Sequence, residues 1–316
     1  MKDLLFVVSL ALLAFGLINS LLSCVILVGA RWLQFNCLPR ARARRYLLVR
    51  AFPAAASLLF VVAFFLPVLC RYEPGSADER LSLAMCVLAT ATVSIVVAAL
   101  VRGLRSIWAT RRLSRSWEAA ARPLELKEFS IPAFVIEARF PIVAIVGIGR
   151  QRLYVARKVL ANCSAEEFEA ILSHERAHIR YSDNLLRLIL RCFPDLLAFT
   201  PTAGWLERGW AQASEEAADD EAVAAGKGLA LASALCKLAR LARGTLPVAA
   251  MALHGDGDVA HRLGRLVRPE TRAISVSRGR FDRLRFAILL ALPLIVASTE
   301  LARVHAVTEA LVHLLK

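Results

Sequence analysis

The sequence predicts an α+β membrane protein, with four transmembrane helices and a mostly helical inner domain that carries a small β-sheet. Three observations lead to it. The chain of 316 residues is 58% hydrophobic with a mean hydropathy of +0.56, where soluble domains use apolar residues for about half their length. Its longest apolar runs reach the roughly 20 residues that a bilayer requires. Between the third and fourth runs, short β-branched segments give way to an apolar stripe of helical period.

The first expected span covers Leu4 to Ala30 and contains no charge; the second covers Ala51 to Cys70 and the third Leu81 to Val101. The fourth, Phe286 to Ala297, is short and is extended by the apolar residues after Glu300. Short loops rich in Lys and Arg stay on the cytoplasmic side of the membrane. Arg31, Arg40, Arg42, Arg44, Arg45 and Arg50 lie between spans one and two; Arg102, Arg105, Arg111, Arg112 and Arg115 follow span three; Arg278, Arg280, Arg283 and Arg285 precede span four. The loop from Arg71 to Arg80 is balanced by Glu73, Asp78 and Glu79. These biases agree on an inner-membrane, multi-pass protein with both termini outside and a cytoplasmic segment 103–283. The expected division is therefore 1–102, three spans; 103–283, inner domain; and 284–316, fourth span and outer tail. Lys2 is offset by Asp3 and the first apolar run exceeds an ordinary signal-peptide core, so a retained anchor is expected.

The net charge of +14 could suggest nucleic acid, but the arginines crowd the ends of apolar segments instead of forming one stripe. Direct nucleic-acid binding is not expected, and membrane lipid is. Seven scattered cysteines with no Cys-x-x-Cys pair argue against a disulfide framework and a thiolate metal site.

After an arginine-rich helix from Gly103 to about Ala121, Pro and Gly residues punctuate short runs at 134–136, 142–146 and 153–156, which read as strands, with Gly149-Arg150-Gln151 as a hairpin turn. Ser164-Ala165-Glu166-Glu167 carries the signature of a capped helix start. Phe168, Ile171, Leu172 and Ile179 continue it at helical spacing. The apolar stretch Asn184 to Thr200, interrupted by Arg187, Arg191, Pro194 and Asp195, reads as a core or membrane-adjacent helix. Another helix runs from near Trp205 to Ala225.

On the capped helix stands His174-Glu175-Arg176-Ala177-His178. Histidines four apart share a helix face, so both imidazoles can reach one Zn²⁺ at about 2.0–2.1 Å. Glu175 then sits beside the position of a water, ready to take its proton during attack on a carbonyl carbon. A catalytic zinc needs a third protein ligand. The acidic run from Glu215 to Glu221 offers candidates on a second helix. Glu215 and Asp219 are spaced so that one can bind metal while the other accepts from a ligand histidine; Glu216 with Asp220 is the alternative register. A solvated helix face could also carry such an acidic run.

The chain resembles the BlaR/MecR-type membrane metallopeptidases, gluzincin-like antirepressor peptidases. The resemblance is carried by Pro141 to Gly147, Arg152-Leu153-Tyr154-Val155, Ser164 to Ser173, His174 to Arg180, Asp183-Asn184-Leu185 and Glu215 to Asp220. It implies a zincin-like domain with a zinc site of His174, His178 and Glu215, and Glu175 as general base. Asp219 would orient a ligand histidine, and Asp183 would be structural or do the same. It further implies a protein substrate, with a transcriptional repressor or the chain itself as the candidate class. The drug-sensing members carry an outer penicillin-binding domain. Here Ser298 to Lys316 hold no Ser-x-x-Lys motif, so β-lactam sensing is not expected. A catalytically silent signal transducer and a CAAX-type or quality-control metallopeptidase are the rival expectations. His254, His261 and Tyr181 are candidates for oxyanion stabilisation.

Overall fold

The structure, a computed structural model, describes residues 2–30, 33, 35–67, 69, 82–126, 129–243 and 256–268. Three of its helices are long and apolar enough to cross a membrane: Leu4–Gly29, Pro39–Phe65 and Leu83–Glu118. The fourth expected span, 286–297, lies outside the described residues.

Helix α1 spans Lys2–Gly29. Helix α2 spans Pro39–Phe60 and continues as a π-helical turn over Val61–Phe65. The arginines expected in a loop thus ride on the first half of α2. Pro39 suits a first turn, where no amide partner is required, and the Arg, Ala and Leu that follow favour helix. Helix α3, Leu83–Glu118, joins the third expected span and the following arginine-rich helix into one rod of 36 residues, about 54 Å long. Gly103 does not break it. A Cβ there would meet Cys192 Sγ at 2.5 Å, so this glycine admits a neighbouring helix. Leu10 and Leu13 of α1 pack with Phe65, Leu69 and Met85 in a small core between the three helices. Leu4, Leu21, Val62 and Leu100 stay exposed, as a lipid-facing surface requires.

Beyond α3 lies a four-stranded sheet of order β1-β2-β4-β3: β1 Arg122–Leu124, β2 Ala133–Ile136, β3 Val143–Val146 and β4 Arg152–Ala156. The sequence does not announce β1, three residues with a central proline, because proline is tolerated only at such an edge. It pairs antiparallel with β2, pairing Arg122 with Val135. Strand β2 runs parallel to β4, and β3 pairs antiparallel with β4 through Val143 with Val155 and Ile145 with Leu153. The hairpin turn depends on Gly147, whose φ of +104° would bring a Cβ to 2.4 Å from the Arg150 carbonyl.

After the short α4 (Arg157–Asn162), α5 spans Ala165–Tyr181. Its start is as the sequence predicts: the Glu167 amide donates to Ser164 Oγ at 3.2 Å, and the Ser164 amide donates to Glu167 Oε2 at 2.7 Å. Ser182, in the left-handed region at φ 56°, separates α5 from α6 (Asp183–Cys192). The single helix expected to Thr200 is thus a shorter α6 followed by a 3₁₀ turn, Leu196–Phe199. Pro194 cannot continue the helix, and Asp195 Oδ1 accepts from the Ala198 amide at 3.0 Å instead. Its charges are excluded from lipid by pairing: Asp195 and Arg50 of α2 form an ion pair whose side chains are 0% and 1% exposed. Asn19 of α1 donates to the Pro194 carbonyl at 2.9 Å, and Arg102 of α3 donates to the Phe193 carbonyl at 3.0 Å.

Helix α7, Pro201–Ala224, lies along α2. Gly209 makes this approach possible, since a Cβ would come within 2.5 Å of the Tyr46 ring. Helices α8 (Gly228–Arg243) and α9 (Asp256–Val267) complete the described chain. The inner core joins Leu153, Val155 and Ala156 of β4 to Ala170, Ile171 and Leu172 of α5 and Leu231 and Ala234 of α8. Each large aliphatic side chain buried there contributes about 1.5–3 kcal/mol. Of the seven cysteines, the six described are free, and Cys70 lies outside the described residues.

Candidate metal centre

The stripe Ile171, Leu172 and Ala177 seats α5 on the sheet and α8, which fixes the opposite side of α5 toward α7. His174 and His178 project there, their Nε2 atoms 3.1 Å apart. Glu215 of α7 faces both, with Oε2 3.4 Å from His174 Nε2 and Oε1 3.6 Å from His178 Nε2. One ligand atom from each of these three residues lies within 4.8 Å of the others. A tetrahedral ion with bonds of about 2.0–2.1 Å requires donor separations of about 3.3–3.4 Å. Two neutral-capable imidazoles and a carboxylate at these separations fit a divalent metal such as zinc.

Both histidines are held from behind. Asp219 Oδ1 lies 2.9 Å from His174 Nδ1, and Asp183 Oδ2 lies 2.6 Å from His178 Nδ1. Each carboxylate leaves Nε2 pointing forward, which is the tautomer a metal ligand needs. Asp183 reaches His178 because the left-handed Ser182 turns the chain back beneath α5. Ser214 Oγ donates to the same Asp183 oxygen at 2.5 Å. Neither Ser214 nor its role is legible in the sequence, where it is only the residue before an acidic run.

Glu175 is buried beside the histidines, 9% exposed. Burial pushes its carboxyl above the usual range, against the pull of His178 and His174. Burial also opposes the charge on His174, but contact with Asp219 and Glu215 outweighs it and raises the ring to about 10. Glu215 shows the reverse balance: His174, His178 and Arg262 overcome burial and hold its carboxyl well below the usual range.

Arg262 of α9 is a site residue that sequence reasoning missed. Its Nε and Nη2 donate to Asp219 at 2.8 and 2.7 Å, and Nη1 lies 3.1 Å from Glu215 Oε2. One guanidinium thus spans both acidic residues of the i, i+4 pair. The signal available was the spacing of His261, Arg262 and Arg265, which matches an acidic helix face, but the partner helix was not predicted.

The alternative register is occupied otherwise. Glu216 is 0% exposed, paired with Arg42 of α2 and lying 3.1 Å from Arg265. Asp220 pairs with Arg265 at 3.0 Å. Two of the oxyanion candidates are likewise committed: the Tyr181 hydroxyl donates to Glu221, and His261 Nε2 lies 3.4 Å from Glu216 Oε1. His254 lies outside the described residues.

A sequence profile described as BlaR1 peptidase M56 matches residues 77–265, more than half of the chain, and includes His174, Glu175, His178, Asp183, Glu215, Asp219 and Arg262. The chain belongs to the BlaR1 peptidase M56 family. Among curated proteins, none matches the chain. Family membership makes this a membrane-associated metallopeptidase, and the M56 match begins ahead of α3 and ends within α9, at Arg265. The His, His and Glu cluster therefore falls inside the peptidase region.

Proposed function

We propose that this M56 protein is a zinc endopeptidase that cleaves protein substrates at the cytoplasmic side of the membrane, in regulated proteolysis. The observation that carries the reading is the triangle of His174 Nε2, His178 Nε2 and the Glu215 carboxylate, with separations of 3.1, 3.4 and 3.6 Å, and Glu175 buried beside it. His174, His178 and Glu215 would hold the zinc. When bound, the ion supplies Lewis acidity toward the scissile carbonyl and the attacking water. Glu175 takes a proton from that water on its carboxylate and delivers it to the leaving amine nitrogen. Its burial raises its proton affinity toward the working pH, which suits both transfers. Asp183 and Asp219 keep the two imidazoles in the ligand tautomer.

The cytoplasmic side is supported by the Arg/Lys bias of the flanking segments and by two contacts. Arg42 and Arg50, on the arginine-bearing half of α2, pair with Glu216 and Asp195 of the inner helices. The site and that arginine-rich half therefore share one side of the membrane. A transcriptional repressor or the chain itself is the substrate class that the family resemblance supports.

The test uses the full chain and its Glu175→Gln variant, purified in detergent. Bound zinc is measured, and proteolysis of co-expressed repressor candidates and of the chain itself is followed. Zinc in both proteins, with cleavage in the variant reduced by about 10²–10⁴-fold, is the expected result. No zinc in the wild type, or full activity in the variant, overturns the mechanism.

A further inference from the structure

Away from the metal centre, a cleft of about 740 Å³ separates the inner end of α3 from the β3–β4 turn. Arg111 and Arg115, one turn apart on α3, face it from one side, and Arg150 and Arg152 from the other. Arg152 is paired with Glu118. Arg111, Arg115 and Arg150 have no acidic partner among the described residues and are exposed. Four guanidinium groups thus meet one carboxylate. Like charges at i, i+4 spacing are mutually destabilising, and here two further arginines approach from a separate element. An anion in the cleft relieves that repulsion, and the turn at Gly147 to Gly149 exposes its backbone there.

Depth identifies the source of the anion. Helix α3 is continuous from its membrane-spanning part into the cleft. Trp108 is 65% exposed on it, and exposed Trp residues settle at the headgroup level. Arg111 lies one helical turn farther inward, about 5 Å. The apolar side chains of Ile107 and Val146 also line the cleft, so it is not a purely aqueous phosphate site. Basic pockets at this depth on the cytoplasmic face recognise lipid headgroups.

We propose that this cleft binds the phosphate headgroup of an anionic phospholipid from the adjoining leaflet. Arg111, Arg115 and Arg150 supply the charge and the guanidinium forks suited to phosphate oxygens.

The full chain is reconstituted in nanodiscs of phosphatidylcholine with or without phosphatidylglycerol, and lipid retained after mild delipidation is counted by native mass spectrometry. Wild type should retain phosphatidylglycerol and melt at a higher temperature in its presence. Arg111→Gln/Arg150→Gln should retain about tenfold less or lower still while melting like wild type in phosphatidylcholine alone. If the double variant misfolds, Arg150→Gln, on an exposed turn, carries the same prediction in weaker form. Arg44→Gln/Arg105→Gln removes two exposed arginines elsewhere and should retain lipid normally. Equal loss in that control, undiminished retention in the cleft variants, or the same melting shift from soluble glycerophosphate overturns the proposal.

Discussion

Asp183 Oδ2 lies 2.6 Å from His178 Nδ1, across the break between two successive helices. The pair joins a residue in the last turn of the metal-site helix to the one that opens the next. Because the same oxygen also accepts from Ser214, Asp183→Asn keeps the size but loses the charge that orients the imidazole. Zinc affinity, measured by chelator competition, should fall by about 10–100-fold, with the melting temperature of the metal-free protein changed far less. An unchanged affinity would show that Asp183 does not orient His178.

Arg262 is the cation that keeps Asp219, 1% exposed, from being an uncompensated buried charge. Arg262→Met should destabilise the protein by about 3–5 kcal/mol, read as a lowered thermal midpoint in detergent. Arg262→Lys, which retains charge without the fork, should fall between. A midpoint equal to wild type for both would exclude the bridging role.

Metal binding should release a proton. The contacts with Asp219 and Glu215 that raise His174 favour a proton on the imidazole that would accept the metal, while Glu215 is held ionised. Titration calorimetry of zinc into the metal-free protein in buffers of different ionisation enthalpy should therefore report net proton release, and affinity should rise with pH. Buffer-independent heats would refute this.

Glu167 gives a pH signature of stability. Its carboxyl is lowered to about 2 by bonds from Lys237 and Ser233 and by the Ser164 amide. A depressed folded-state value means that the contribution is complete above the ordinary carboxylate value, about 4.3, and is lost as pH falls toward 2. Thermal midpoints of wild type should therefore drop through that window more steeply than those of Glu167→Gln. Parallel curves would contradict it.

Local chemistry made some features legible. The capped start at Ser164 and the i, i+4 histidines depend on neighbours in sequence, and the structure has them as read. Three of the four expected membrane runs were legible for the same reason, since bilayer thickness dictates run length; the fourth lies outside the described residues. What was not legible depends on distant partners. Gly103 does not end α3 because Cys192 packs against it, and the arginines of α2 lie in a helix because α7 and Asp195 supply their partners. Arg262 reads as one more basic residue until α9 is laid on the acidic face of α7. The residues alone narrowed the third candidate ligand to an acidic run, and the family resemblance pointed to Glu215 within it; which side of α7 turns toward the histidines is decided by Trp210, Ala213 and Ala217, all buried.

Helix α2 and its π-helical continuation form one shaft from Pro39 to Phe65. Its Phe65 end packs against α1 and α3, and Arg42 near its Pro39 end pairs with Glu216, the residue after the third candidate ligand. No loop intervenes along that length to absorb movement. A displacement of this helix along its length would thus reach, through Arg42, the residue next to the candidate ligand Glu215, with Pro53 and the π-helical turn as the points along it where it could bend.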